Sequence, residues 1–257
     1  MHLFYIIMPT VKSTSDEEDM LTYTQELLQN YSITTSYVGV SYLKELPEQH
    51  GYGTNHFALV GNTGVAFNYK KAYPVPFVES NVIPGEKEIQ YYDAEFVLST
   101  GQSSIVRLGA AICFDFDYPN YIIQAGWKKV QLMLQPSWTW AGITNRHSNG
   151  DSVRAIENGF NLFRCSSLGE SGIVSSTGLF QSRVMNTNNA ADVYYFQLPL
   201  HSRVATFYSY FGFIFEYVNL VTYALLWIAI VYARYKRDTD PPLVVNANTY
   251  GSVAINQ

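Results

Sequence analysis

Apolar residues along this chain gather into strand-length runs, set apart by polar or Gly/Pro-marked turns, until one much longer run near the end. His2–Met8 (H-L-F-Y-I-I-M) is short, β-rich and closed by Pro9, which suits a buried strand. It lacks the basic start and cleavage pattern of a signal peptide. Asp16–Tyr31 has helical spacing, with Met20, Leu21, Leu27 and Leu28 apolar behind an acidic first turn, Ser15-Asp16-Glu17-Glu18. Ser32–Leu43 predicts a second strand, Lys44–Asn55 a polar loop, and His56–Gly61 a third strand. That strand turns at Asn62-Thr63-Gly64 into a hairpin partner, Val65–Tyr69. From Tyr69 to Glu86, Pro74, Pro76 and Pro84 exclude regular structure and predict an ordered loop. Glu95–Ser99 and Ile105–Cys113 read as strands, Tyr118–Lys129 as a helix and Val130–Leu134 as the next strand. Arg146–Asn158 reads as a helix capped by Gly159, followed by a Phe160–Ser166 strand that contains Cys165. Gly172–Ser175 and Gly178–Phe180 predict a hairpin, and Val193–Leu198 a closing strand. Strands alternating with helices, with hairpins between, imply an α/β fold of layered sheets.

The long run is Tyr217–Ala233, Y-V-N-L-V-T-Y-A-L-L-W-I-A-I-V-Y-A, extended backwards by T-F-Y-S-Y-F-G-F-I-F and interrupted by Glu216. It is long enough to span a bilayer, and a globular core helix is rarely apolar all round. Arg234, Lys236 and Arg237 follow at once, which by the positive-inside rule places the C-terminus in the cytoplasm and the preceding domain on the exoplasmic or luminal side. The expected layout is a domain over 1–205, a membrane-associated segment over 206–237 with a transmembrane helix at about 213–233, and a polar, disordered tail over 238–257. Asn30-Tyr31-Ser32 is a glycosylation sequon consistent with a luminal domain.

Composition narrows the functions. A net charge of −5, with no basic stripe, argues against nucleic-acid binding. Aromatic residues make up 16% of the 257 positions, which fits a protein working beside a membrane. Two cysteines without CxxC or HxxxH spacing make neither a disulfide framework nor a zinc site, so no metal and no cofactor is expected.

Candidate chemistry starts at Val106–Pro119, V-R-L-G-A-A-I-C-F-D-F-D-Y-P. The pattern places Cys113 at the carboxyl end of a buried strand and near a helix start, where thiol pKa values fall and α/β sheets bind ligands. A buried core cysteine explains the same pattern. None of His2, His50, His56, His147 and His201 forms a protease-like motif with Cys113; His147 reads as a surface or capping residue. Trp138 and Trp140 are candidate pocket-lining residues, with aromatic core packing as the alternative.

Several motifs stand in one order: Y-K-K-A-Y-P-V-P-F-V-E from Tyr69, G-A-A-I-C-F-D-F-D-Y-P from Gly109, P-S-W-T-W from Pro136, and R-A-I-E-N-G from Arg154, continued by S-L-G-E-S-G and S-S-T-G. Together, over roughly Phe4–Leu226, they resemble the nitrilase, or carbon–nitrogen hydrolase, superfamily, and within it the apolipoprotein N-acyltransferases. The resemblance implies an αββα sandwich followed by a C-terminal transmembrane helix, and a Cys–Glu–Lys triad. On matching positions Cys113 is the nucleophile. Lys71 is the triad lysine, preferred over Lys70 because the motif lysine stands eight residues before its glutamate, here Glu79. Glu79 would orient Lys71 or assist proton transfer. Read from the residues alone, Trp138 is the candidate for substrate binding beside the core-packing alternative, and Glu157 braces its helix against the site instead of performing chemistry. Asp115 takes a position usually held by Glu.

The departure is at the base. The family's first strand ends in W-P-E, whereas this chain has F-Y-I-I-M-P-T, so Thr10 occupies the base position. A hydroxyl cannot accept a proton near neutral pH, and losing a positioned base costs about two to four orders of magnitude in rate. Glu17 and Glu18 could replace it only if the intervening loop folds back. The family's N-terminal membrane helices have no counterpart before the first strand, which leaves a stand-alone or truncated version of the family's chain, or a partner membrane subunit that supplies the rest. The resemblance implies a membrane-anchored acyltransferase with a phospholipid acyl donor, a Cys113 thioester and an amine acceptor such as a lipoprotein N-terminus. The alternatives are an amidase using water, and a degenerate binding or assembly module supported by Thr10.

Overall fold

The computed structural model describes residues 2–7, 13–31, 36–49, 51–97, 101–139, 142–186, 194, 196–197 and 204–239, with only the backbone for 2–7 and 213. Thr10, Trp140, Ser32 of the sequon, most of the expected 193–198 strand and the tail from 240 lie outside the described residues.

Two sheets form. The first contains β1 (His2–Ile7), β2 (Ser36–Glu45), β3 (Gly53–Gly61) and β4 (Gly64–Lys70) in that spatial order. β1 is parallel to β2, joined through helix α1 (Thr14–Asn30), and the others pair as antiparallel hairpins. The second contains β5 (Tyr91–Val97), β6 (Ser103–Ala110), β7 (Leu132–Ser137), β8 (Asn161–Ser166), β9 (Gly169–Val174) and β10 (Phe180–Asn186), ordered β10-β9-β8-β7-β6-β5. Its central strands β6, β7 and β8 are parallel and connect through α2 (Pro119–Trp127) and α3 (Thr144–Asn158).

Alternation along the strands builds the layers. On one face of the first sheet Val38, Val40, Tyr42, Ala58 and Val60 pack against Leu28, Met20 and Leu21 of α1. On the other, Phe57, Leu59, Phe67 and Tyr69 join Phe96, Val106, Leu108, Leu132 and Leu134 of the second sheet. The same core continues to Ile122, Ala125 and Ala155 of α2 and α3. This is the αββα sandwich that the motifs imply.

Several boundaries differ from the sequence reading. The ends of Lys44–Asn55 are strand, because Lys44 pairs with Thr54 and Glu45 with Gly53 before the chain turns. β6 ends at Ala110, and Cys113 opens a short 3-10 helix, Cys113–Asp117, instead of closing the strand. α2 starts on Pro119, whose missing N–H is no loss at that position. Gly159 caps α3 at φ 70°, and a Cβ there would meet the Val204 carbonyl oxygen at 1.8 Å, so glycine is required twice over.

The chain divides into two compact units, Met1–Gly212 and Phe213–Gln257. A final helix, α4, covers Phe207–Thr239. Its Ile214–Thr239 portion has a mean hydropathy of 1.8 in its most apolar window, with none of that window buried. At about 1.5 Å per residue it is long enough to cross a bilayer.

α1 also settles the position of Glu17. Ser13 caps the helix by accepting Asp16 N–H at 3.1 Å, which sets Glu17 on the inward side, whereas Glu18 is exposed. The Glu17 carboxylate accepts from the Tyr42 hydroxyl, from Lys44 Nζ at 2.6 Å and from Asn68 Nδ2 at 3.1 Å. His56 stacks on Tyr42 with centroids 5.1 Å apart and bonds Asn68 at 3.0 Å. Glu17 is therefore fixed on the α1 face of the first sheet, opposite the inter-sheet core, and is not folded back as a substitute base.

Burial raises the Glu17 carboxyl, but the hydrogen bonds from Lys44, Tyr42 and Asn68 and the Lys44 charge outweigh it and hold the pKa below the usual 4.5. A carboxyl depressed in the folded state stabilises above its unfolded pKa and loses that contribution as pH falls through the folded value. Glu17→Gln should therefore cost about 1–3 kcal/mol at neutral pH. The difference from wild type should shrink as melting is followed below pH ~4.5; a difference independent of pH counts against the charged network.

Candidate active site

The site residues stand where strands of both sheets end. Lys71 follows β4, its N–H donating to Asn55 O at 2.8 Å and its carbonyl accepting from Gly85 N at 2.7 Å. The side chain is buried, and Nζ meets Glu79 Oε2 at 2.5 Å. The same oxygen accepts Val75 N–H at 2.6 Å, and Glu79 N–H returns to Val75 O at 2.9 Å. The Pro-rich loop thus closes around the carboxylate that neutralises Lys71. Removing one member of such a pair leaves a buried charge uncompensated, at a cost of about 3–5 kcal/mol. Lys70 pairs in register with His56, and its charge acts on that ring.

Cys113 is 9% exposed and adopts φ +48°, a left-handed conformation. For a non-glycine residue this costs about 1–3 kcal/mol, so the surroundings must hold it. Its Sγ points to the Trp138 carbonyl oxygen at 3.8 Å, and its own carbonyl accepts from Gln135 Nε2 at 3.5 Å. The Trp138 side chain is 66% exposed, which excludes core packing. Glu157 pairs with Arg154 at 2.6 Å on α3, and its carbonyl accepts from the Thr206 hydroxyl, so it braces the end of the helix.

Asp115 joins the two segments. Oδ2 accepts Ile112 N–H at 2.8 Å, immediately before Cys113, and the Tyr69 hydroxyl at 2.7 Å; Oδ1 accepts Tyr73 N–H at 2.7 Å. The Tyr69 oxygen in turn accepts from Ala72 N at 3.2 Å and from the Tyr121 hydroxyl at 2.8 Å. Tyr73 stacks on Tyr118 with centroids 3.8 Å apart. The residues on either side of Lys71 and Cys113 are therefore tied to one carboxylate. The structure brings Lys71 and Glu79 into contact, and joins their loop to the turn that carries Cys113 and faces the Trp138 backbone. Thr10 lies outside the described residues and is not placed.

The sequence reading missed Tyr69, Tyr73 and Gln135. Tyr69 and Tyr73 lie within the loop motif on either side of Lys71, and nothing in the local sequence shows that they reach Asp115. His147 is also not a surface residue: α3 begins at Thr144, which turns His147 inward, its Nδ1 3.2 Å from Asp151 Oδ2. Among the described residues no group of three or more His, Cys, Asp or Glu is arranged to hold a metal. A shallow cleft between α3 and β10, lined by Asn149, Ser152, Leu179 and Arg183, includes neither Cys113 nor Lys71.

No family model matches the chain. The chain is similar to the apolipoprotein N-acyltransferase of Rickettsia prowazekii (strain Madrid E), with 26% identity over 188 residues, which is 68% of this chain and 37% of that relative. It thus spans well under half of the relative's length. Among solved structures it shares its fold with a carbon–nitrogen hydrolase from Helicobacter pylori G27, at TM-score 0.56 and 15% identity over 72% of this chain and 74% of that one. An amidase variant from Nesterenkonia sp. AN1, which carries the acetamide moiety of fluoroacetamide on its active-site cysteine, matches at TM-score 0.51 and 20% identity over 66% and 65%. The fold is nitrilase-like, as the motifs imply, and the N-acyltransferase resemblance has a counterpart in sequence.

Burial pushes the Asp115 carboxyl up to about 6, against the lowering effects of Tyr69, the Ile112 and Tyr73 N–H groups and the Lys71 charge. The folded protein then holds a proton that the unfolded chain releases between about pH 3.8 and 6, so ionising Asp115 costs stability as pH rises across that window. Asp115→Asn removes this term, and the stability of wild type relative to it should fall from pH 4 to 6 and then level off. Asp115→Ala strands buried donors, each worth about 1–3 kcal/mol, and should melt earlier at every pH.

Proposed function

We propose that this chain is a membrane-anchored acyltransferase that moves an acyl group from a phospholipid through a Cys113 thioester to an amine, as in lipoprotein N-acylation. The observation that carries the reading is the buried Lys71–Glu79 pair, fastened through Asp115 to the turn that presents Cys113. The name of the Rickettsia relative supports the acyl-transfer class, and the apolar helix supports a donor that resides in a bilayer.

Cys113 Sγ attacks the ester carbonyl carbon. A C–S bond forms, the ester C–O bond breaks, and the lysophospholipid oxygen leaves with a proton. The amine then attacks the thioester, forming C–N, breaking C–S and returning a proton to sulfur. Splitting the transfer this way replaces one hard displacement by two easier ones. The Lys71 ammonium would stabilise the oxyanion of each tetrahedral intermediate, with Glu79 holding it in place. Trp138 would border the substrate, and Thr10 would occupy the position of the missing base. In this reading the catalytic domain is exoplasmic or luminal, α4 spans the membrane, and Arg234, Lys236 and Arg237 mark the cytoplasmic side. A further membrane subunit would be recovered by co-purification from mild detergent.

The test is covalent. Full-length protein incubated with an alkyne-tagged acyl phospholipid should become labelled, the label should be released by hydroxylamine, and Cys113→Ala should abolish it. Equal labelling of Cys113→Ala removes the thioester. Release of free fatty acid, with no transfer to any offered amine, identifies a hydrolase that uses water as the acceptor; no label on wild type favours the amidase or the non-enzymatic module, which turnover of a short amide separates. Thr10→Glu should raise the labelling rate by about two orders of magnitude or more. Glu17→Gln should leave that rate unchanged, since Glu17 bonds on the α1 face.

A further inference from the structure

We propose that Asp151 is a positioning residue for Cys113, acting through the orientation of the Gln135 side chain. The inference rests on Cys113 being the reactive thiol. Gln135 is completely buried on β7. Its Nε2 donates to Asp151 Oδ2 at 3.0 Å and lies 3.5 Å from the Cys113 carbonyl oxygen, and these are the two N–H directions of one amide. Its Oε1 has no partner among the described residues. The opposite orientation would turn Oε1 toward a carboxylate and a carbonyl, so it is repelled by both. The Asp151 charge thereby ensures that a donor, not an acceptor, faces the carbonyl of Cys113, whose left-handed backbone needs an external restraint.

Asp151 is itself held rigidly. It is 1% exposed, Oδ2 accepts Arg164 Nη1 at 2.7 Å, and His147 Nδ1 lies 3.2 Å away. Arg164 is fixed further by the Glu170 carbonyl at 2.9 Å and by Thr139 at 2.9 Å. The other nitrogen of His147 lies 3.9 Å from Asp117, at the far end of the 3-10 helix that Cys113 opens. Asp151 therefore reaches the start of that turn through Gln135, while His147 lies between Asp151 and Asp117 without a hydrogen bond to either. A change at Asp151 need not touch substrate to displace the thiol, and a displacement of about 1 Å costs up to about a hundred-fold in rate.

The experiment is alkylation of the full chain in detergent with iodoacetamide, following Cys113 and Cys165 separately by peptide mass spectrometry. It needs no acyl donor, so a wild-type Cys113 that alkylates but is never acylated by phospholipid overturns only the acyltransferase reading. Asp151→Asn and Gln135→Met should each slow Cys113 alkylation by about ten-fold. The double variant should be no slower than either single, because both break one linkage. Cys165 is partly buried next to Arg164 and should stay as unreactive as in wild type, whereas general loosening of the region would expose it. Wild-type rates in either single variant, additive losses in the double, or a parallel rise in Cys165 labelling each overturn the proposal. Should Asp151→Asn fail to fold, Gln135→Met removes no charge and reads the same bond alone.

Discussion

The site depends on one buried carboxylate. Asp115 gives its oxygens to Ile112 N–H, Tyr73 N–H and the Tyr69 hydroxyl, which belong to two segments 40 residues or so apart in sequence and attached to different sheets. Without it, the Lys71 loop and the segment from Cys113 to Tyr121 would keep the Tyr121–Tyr69 hydroxyl bond and the aromatic packing of Tyr73 on Tyr118 and Tyr121. The cost of burying it shows in the raised pKa, which means that its three donors only partly offset the lost hydration. The short Asp115 side chain fits this geometry: it reaches back to the N–H of Ile112, three residues earlier, as a local cap would.

Strain and restraint are matched around Cys113. A left-handed cysteine persists only where neighbours over-determine the backbone. Here Asp115 holds the peptide before it and Gln135 the carbonyl after it. The parallel strands β6, β7 and β8 supply this arrangement, since their carboxyl ends carry Cys113, then Trp138 and Thr139, then the Ser166–Glu170 turn. Side chains from three connections therefore converge at one edge of the sheet, as is general for ligand sites of open α/β sheets.

Much of this was legible in the sequence. The strand and helix order follows from apolar periodicity, Gly159 stops α3, Pro119 starts α2, and the loop motif selects Lys71 and Glu79, which meet at 2.5 Å. What was not legible depends on contacts between distant segments. Nothing local shows that Lys44 continues a ladder opposite Thr54, that Tyr69 reaches Asp115, or that Gln135 and Asp151 meet beneath Cys113. The exit of Cys113 from the strand was hidden for another reason: Ala111 and Ile112 are apolar and buried like the strand before them, although the pairing to β7 has ended at Ala110.

Sheet alternation separates two charge systems that the sequence places side by side. Lys70 pairs with His56 on the α1 face, with Asn68, Tyr42 and Glu17, whereas Lys71, one residue on, is buried with Glu79 and acts on Asp115. A shift of one residue in β4 would exchange them, carrying a buried lysine to the α1 layer and the α1 network into the core. Two antiparallel hairpins and the Lys71–Asn55 backbone bond fix that register. The first sheet thus contributes more to the site than a wall. It is the element that decides which lysine faces Cys113's side of the sandwich, and Glu17 of α1 bonds on the opposite face.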